Sequence, residues 1–239
     1  MYTNMGNSSS SLDTNVVQES SLKMKQDRVD KVDYIFFYGS HFSIDNMSKK
    51  LGWDVNDKDS VRSMFEQFIS PAKADKYEMC FTATNTNPLN GEATLKKMGE
   101  GKQAMGIVLD VRKLSDKMKT LDIPDNNKME KSDIVKLLSS VNPVNHKKRI
   151  IRVTMDNSNE PVEAFARFGR ASLVYKKPGR EEIDSIFKMY EFRQSIGGVG
   201  DINSISPNAC SSKSLGMPEF TMLMGGVTIA SSVVMKMMS

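Results

Sequence analysis

Apolar side chains recur at helical spacing most clearly between residues 60 and 69. Five of them fall at positions i, i+3, i+4, i+7 and i+8: Val61, Met64, Phe65, Phe68 and Ile69. This stripe predicts a helix whose apolar face buries Phe65 and Phe68. Asp59 is a suitable N-cap for it, and Pro71 predicts that the helix has ended by that point.

Other stretches extend this pattern into an alternation of helices and strands. Weaker helical spacing is found in four segments: 45–51, 114–121, 133–141 and 178–197. Runs rich in β-branched and aromatic residues predict five strands: 32–38, 77–84, 104–111, 149–155 and 171–175. The segment 85–101 is rich in turn residues and is predicted to lack a strand. Helices and strands interleave without a regular βαβ period, so we expect one compact α+β domain over residues 29–200.

Both ends of the chain differ from this body. Residues 1–28 carry few large apolar side chains, which predicts a disordered N-terminal arm. Residues 201–239 begin as a linker rich in Ser and Asn and continue into an uncharged apolar segment, 220–235. As a helix this segment would span about 24 Å, less than the roughly 30 Å hydrocarbon core of a bilayer. We therefore expect a segment that binds a partner or a second copy of the chain; a buried strand and a shallow membrane contact are the alternatives.

Composition narrows the class of protein. The chain has 239 residues and a formal net charge of +4, with 2 cysteines and 2 histidines. Cys80 and Cys210 lie far apart, which favours a reducing compartment over a disulfide framework, although one long-range disulfide stays an alternative. His41 and His146 lack the short spacing of zinc ligands, and the N-terminus lacks the features of a secretory signal. We expect an intracellular protein, in the cytoplasm, the nucleus or a virion.

Catalytic motifs are weak throughout the chain. The segment 98–103 resembles a phosphate-binding loop, but its first glycine is misplaced and Gln103 stands at the Ser/Thr position. Ser40 and His41 follow a predicted strand, where neighbouring side chains point to opposite faces and would not pair. The carboxylates are numerous and scattered. The sequence therefore predicts neither an enzyme nor a cofactor.

Positive charge is concentrated between residues 141 and 180. This stretch holds nine Lys and Arg residues against three Asp and Glu residues, an excess of six positive charges over a region that also contains Phe165, Phe168 and Tyr175. Cations neutralise phosphates, and exposed aromatic rings stack on unpaired bases. The candidate nucleic-acid ligands are Lys147, Lys148, Arg149, Arg152, Arg167, Phe168, Arg170, Lys176, Lys177 and Arg180. A solvated basic rim around a core is the alternative interpretation.

This organisation favours a non-enzymatic structural protein. A polar arm, a basic body and an apolar tail are typical of a self-assembling virion nucleocapsid, coat or matrix protein that contacts nucleic acid, with RNA favoured over DNA. An acidic membrane surface is a further candidate partner. Two alternatives stay open: a protein-interaction adaptor that does not bind nucleic acid, and an enzyme whose site is assembled from the scattered carboxylates.

Overall fold

A computed structural model describes residues 31–53, 58–83, 89–121, 128–140, 146–169 and 175–200, with the backbone alone for residues 58–61. Within these residues the chain forms a single compact α+β domain, which confirms the predicted fold class. The predicted N-terminal arm and the apolar C-terminal segment lie outside the described residues.

Five strands close into a barrel in the order β1-β5-β2-β6-β7. Their bounds are Tyr34–Phe37 (β1), Ile69–Asp75 (β2), Gln103–Asp110 (β5), His146–Met155 (β6) and Pro161–Gly169 (β7). Neighbouring strands are antiparallel except where β1 runs parallel to β7, with Tyr34 opposite Ala164. Because β1 pairs with both β5 and β7, neither of its edges is left open to solvent.

A separate two-stranded antiparallel sheet packs beside the barrel. It consists of Tyr77–Ala83 (β3) and Gly91–Lys97 (β4), with Cys80 opposite Thr94. The Thr94 side chain accepts a short hydrogen bond from the backbone N–H of Gly169, at the end of β7. This contact fixes β4 against the barrel, next to the site described below.

Five α-helices and one short 3-10 turn are described around the strands. The turn spans Gly39–His41, directly after β1. The helices are Ile44–Lys50 (α1), Lys58–Glu66 (α2), Val111–Thr120 (α3), Lys131–Leu138 (α4) and Arg180–Ser195 (α5). No helix among the described residues is long and apolar enough to cross a membrane.

Two apolar cores lie on opposite faces of the barrel wall, as the alternation along β1 illustrates. Ile35 and Phe37 pack with α1, α3 and α4 in the first core, whereas Phe36 packs with β3, β4 and α5 in the second. Phe65 and Phe68 are buried in the first core, as their spacing predicts. The two cores sandwich the barrel wall and hold the strand ends that carry the site.

The predicted elements differ from the structure at three places. The helix that was expected over 60–69 ends at Glu66, and Pro71 lies inside β2. A strand, β4, occupies part of the segment predicted as turns. Its apolar pattern is weak in the sequence because its buried face is made by the small residues Gly91 and Ala93 together with one leucine. Strands β2 and β7 were also not predicted, and β7 precedes the expected strand at 171–175, of which residues 171–174 lie outside the described residues.

Candidate functional site

A cleft of about 600 Å³ opens between the barrel wall and the ends of α1 and α4. Its apolar lining comes from both sides of this gap: Ile35, Phe36, Met47, Leu138, Phe165 and Ala166. Four of its lining residues are cationic side chains: Lys49, Lys50, Lys148 and Arg167. The described lining includes no Asp or Glu, so the cleft combines an apolar floor with positively charged walls.

The 3-10 turn enters this cleft because Gly39 reverses the chain immediately after β1. Gly39 adopts φ +61°, in the left-handed region that glycine occupies without a steric penalty. A Cβ atom at this position would lie 2.5 Å from the Cβ of Ala93 on β4. The close approach of the turn to β4 therefore needs glycine, and it brings Ser40 and His41 to the cleft wall.

Replacing Gly39 with Ala tests how tightly this turn is packed. We expect Gly39→Ala to lower the free energy of unfolding by about 2 kcal/mol, because it adds both backbone strain and a steric overlap with Ala93. Chemical denaturation measures the change. The control is Gly99→Ala, since a Cβ at Gly99 meets no atom within 4 Å. Equal stability of both variants would show that the turn can move away from β4.

The hydroxyl of Ser40 is hydrogen-bonded to a carboxylate from the other end of the chain. Ser40 Oγ donates to Oε2 of Glu182 at 2.6 Å, and Glu182 Oε1 accepts the backbone N–H of Ala93 at 3.0 Å. Glu182 lies in the first turn of α5, where the helix dipole stabilises a negative charge. The half-buried pair therefore presents a hydroxyl at the cleft wall with an anchored proton acceptor behind it.

Arg167 lies beside this pair and is surrounded by hydrogen-bonding groups. Its Nη2 donates to Oε2 of Glu92 at 2.9 Å and to Nε2 of His146 at 2.7 Å, while its Nη1 donates to Nδ1 of His41 at 3.1 Å. The hydroxyl of Tyr38 donates to the backbone carbonyl of Arg167. Arg167 is thus an ion-paired centre that joins the segment after β1 to β4, β6 and β7.

The two histidines are neutral in this setting. Burial and the neighbouring Arg167 lower the pKa of His41 to about 3 and the pKa of His146 to about 4. A guanidinium only donates, so Nδ1 of His41 accepts from Arg167, and Nε2–H donates to the carbonyl of Ala93 at 3.2 Å. Both ring nitrogens of His41 are therefore engaged, which leaves Glu182 as the proton acceptor next to Ser40.

Lys148 has a different environment from Arg167, although the two residues lie opposite each other on β6 and β7. Lys148 Nζ donates to Ser139 Oγ at 3.1 Å and lies 4.9 Å from the centre of the Phe165 ring. Burial lowers the pKa of Lys148. The salt bridges of the described residues do not include one between Lys148 and a carboxylate.

The structure does not bring the predicted nucleic-acid ligands onto one surface. Cations alternate along β6: Lys148 faces the cleft, whereas Lys147 and Arg149 lie on the other face. Phe168 is 4% exposed, and its ring lies in the second core. Arg149 stacks over that ring at 5.3 Å. The remaining exposed candidates are distributed over β6 and the segment before α5: Arg152, Lys176, Lys177 and Arg180. Arg170 lies outside the described residues, and the role of this set as nucleic-acid ligands stays a prediction.

Sequence reasoning singled out Lys148 and Arg167, which line the cleft, but missed the contacts that organise it. It treated Ser40 and His41 as neighbours on an extended chain, whereas they lie on a turn and contact different partners. Glu182 is 142 residues from Ser40, and Ala93 is 52 residues from His41, separations that no local motif reports. The detectable signal was a glycine immediately after a buried strand, which marks a tight turn. Among the described residues no group of three His, Cys, Asp or Glu side chains converges on a metal position.

Comparisons with known proteins give weak structural similarities. No protein-family model and no curated protein matches the chain. A gamma-glutamyl cyclotransferase shares 12% identity over 76% of this chain and 92% of its own, with a TM-score of 0.39. An uncharacterised protein from Homo sapiens shares 11% identity over 80% and 96% of the two chains, with a TM-score of 0.36. A protein from Arabidopsis thaliana shares 10% identity over 78% and 99%, again with a TM-score of 0.36.

These comparisons overturn the function expected from the sequence. The similar structures include an enzyme, and the three named here are not described as virion or RNA-binding proteins. The prediction of a non-enzymatic nucleocapsid, coat or matrix protein is therefore wrong, as is the expectation that the chain is not an enzyme. The basic stretch was misinterpreted for a physical reason: Arg167 forms an ion pair with Glu92, and the Phe168 ring is buried in the core, where it cannot stack on a base. Such low identities and TM-scores transfer no residue roles, so the site is interpreted from its own geometry.

Proposed function

We propose that this chain is an enzyme that binds a small organic anion in the cleft and transfers an acyl group through Ser40. The observation that carries this proposal is the 2.6 Å hydrogen bond from the Ser40 hydroxyl, at the cleft wall, to the Glu182 carboxylate. A hydroxyl next to an anchored proton acceptor is the arrangement that activates a serine nucleophile. Of the alternatives left open by the sequence, this one corresponds to the enzyme assembled from distant carboxylates.

The proposed reaction uses groups that are already in place. Ser40 Oγ attacks the carbonyl carbon of an amide or ester as its proton passes to Glu182, and the resulting oxyanion develops next to the positively charged wall of the cleft. The bond from the carbonyl carbon to the leaving group then breaks, and Glu182 returns the proton to the departing nitrogen or oxygen. Attack by water or by an amine on the acyl-serine releases the product and restores the hydroxyl.

The positive wall specifies the charge of the substrate. Lys49, Lys50 and Lys148 line the cleft without a described Asp or Glu among the lining residues. An anionic substrate gains favourable electrostatic energy there, whereas a cationic one is repelled. The apolar floor formed by residues such as Met47 and Phe165 accommodates an uncharged portion of the same molecule.

Two assays test the role of Ser40. The first is release of p-nitroaniline from glutaryl-p-nitroanilide, an anionic amide that resembles a γ-glutamyl amide without its ammonium group, chosen because one similar structure is a gamma-glutamyl cyclotransferase. The second is labelling by a fluorophosphonate, which reacts with activated serines without requiring the natural substrate. We expect labelling at Ser40, identified by peptide mass spectrometry, and a loss of labelling rate of about 100-fold or more in Glu182→Gln, the typical contribution of a catalytic base.

The control variant is Ser185→Ala, which removes a hydroxyl from the same helix as Glu182 but outside the cleft. It should be labelled at the rate of the unmodified protein, and Ser40→Ala should not be labelled. If Ser40 is inert to the fluorophosphonate while the protein is folded, the acyl-transfer proposal is wrong. If Glu182→Gln is labelled as fast as the unmodified protein, Glu182 only braces the turn.

A further inference from the structure

We propose that Lys49, Lys50 and Lys148 act together as a subsite for a doubly charged anionic group, so that the cleft selects dianions over monoanions. This inference deepens the proposed function and rests on the same cleft being a ligand site. It concerns the part of the ligand that is held, whereas the acyl-transfer proposal concerns the part that reacts at Ser40.

Strands β6 and β7 place two positive charges side by side. Lys148 lies directly opposite Arg167 in this antiparallel register, and like charges in such a position destabilise a sheet. Arg167 is compensated by Glu92 at 2.9 Å. Lys148 instead contacts a hydroxyl, on Ser139, and an aromatic ring. The strand pair therefore keeps one positive charge that faces the cleft without a carboxylate partner among the described residues.

The Lys148 ammonium is partly desolvated, although the residue as a whole is exposed. Burial lowers the pKa of Lys148, and no neighbouring carboxylate opposes that shift. Contact between Lys148 and the Phe165 ring places the amino group above the apolar floor. An anion bound at this position would replace the lost hydration and raise the pKa again. The site thus gains more from a ligand charge than a fully solvated lysine would.

Helix α1 contributes two further positive charges to the cleft. Lys49 and Lys50 lie in its last turn, line the same cleft and form no salt bridge with a described carboxylate. Both side chains are exposed, with long flexible stems that can follow a ligand. Because the charges of Arg167 and Glu92 cancel, three positive charges remain around the cleft. A monoanion offsets one of them, and a dianion offsets two.

Three aromatic probes test whether binding depends on the number of negative charges or on the type of anionic group that carries them. Benzoate is a monoanion, phenyl phosphate is a dianion above its second pKa, and phenylsuccinate is a dicarboxylate; all three carry a phenyl ring for the apolar floor. Isothermal titration calorimetry at pH 8 and low salt gives the dissociation constants. We expect the preferred dianion to bind at least tenfold more tightly than benzoate. Comparison of phenyl phosphate with phenylsuccinate then identifies the preferred group as a phosphoester or a dicarboxylate.

Variants of the adjacent residues Lys147 and Lys148 test whether the preference for dianions arises at the cleft. Lys148→Met keeps the apolar stem over Phe165 and should weaken dianion binding by tenfold or more, while Lys148→Arg should restore most of it. Lys147→Met is the matched control, because Lys147 does not line the cleft and faces Phe168 across the strand pair. It removes the same charge and should change the dissociation constant less than twofold. If Lys148→Met does not fold, the double variant Lys49→Met/Lys50→Met takes its place.

The outcomes distinguish this inference from the proposed function. Equal affinities for benzoate and both dianions would overturn the dianion subsite and leave the anion cleft standing. Equal losses in Lys147→Met and Lys148→Met would also overturn it, since a general surface field would then account for binding. Failure of all three probes to bind the folded protein would overturn both the anion cleft and the subsite.

Discussion

Replacing Arg193 with Met should lower the free energy of unfolding by about 3–5 kcal/mol, because it leaves a buried carboxylate without its cation. Arg193, on α5, is fully buried, and its Nη2 is paired with Asp156, whose side chain is 5% exposed. Its Nε donates to the carbonyl of Gly106 at 3.1 Å, and its Nη1 donates to the carbonyl of Val199 at 2.6 Å. One guanidinium therefore ties the end of α5 to β5, to the turn after β6 and to the segment that follows the helix.

The control for this prediction is a second arginine on the same helix. Arg180 is 91% exposed and lies 3.9 Å from Asp184, so Arg180→Met should change stability by no more than about 0.5 kcal/mol. The double variant Arg193→Met/Asp156→Leu removes both buried charges and should recover part of the loss. Urea denaturation of the variants measures these differences. A loss of less than about 1 kcal/mol in Arg193→Met, in the range of ordinary surface substitutions, would show that water reaches Asp156 in the folded protein.

Where apolar side chains are large, their spacing predicted the elements of the fold. The aromatic and β-branched run 32–38 contains β1, and Phe65 and Phe68 of the helical stripe are buried. Strand β4 escaped prediction because its buried face is mostly glycine and alanine, which carry little hydrophobic signal. Strand β7 does alternate Val162, Ala164, Ala166 and Phe168 toward one core, a period-two pattern that was available in the sequence.

The site was harder to predict than the fold because its partners are distant in sequence. Charge counting treated Arg167 as a free cation, but closure of the barrel and the approach of β4 bring Glu92 to it. In the same way Ser40 gains its carboxylate partner only when α5 places Glu182 behind the turn. A net charge describes a stretch of chain, whereas its chemistry depends on which charges the fold pairs.

The neutral histidines around Arg167 should make the protein markedly less stable in mild acid. In the unfolded chain a histidine takes up a proton near pH 6.5, whereas His41 does so in the folded protein only near pH 3 and His146 only near pH 4. The unfolded state therefore binds more protons between these values, so stability falls as the pH is lowered through this window. Each group contributes about 1.4 kcal/mol per pH unit, which gives roughly 5 kcal/mol for the two between pH 6.5 and 4.5.

Carboxylates also titrate in this range, so the test compares the protein with His41→Gln. A Gln side chain can donate to the Ala93 carbonyl and accept from Arg167, as the neutral imidazole does, but it cannot take up a proton. Both proteins should have similar stability at pH 7.5. At pH 4.5 His41→Gln should be the more stable by roughly 2–3 kcal/mol, the share of one histidine over two pH units. Urea denaturation across this pH range gives the two curves, and parallel curves would mean that His41 is protonated in the folded protein as readily as in the unfolded chain.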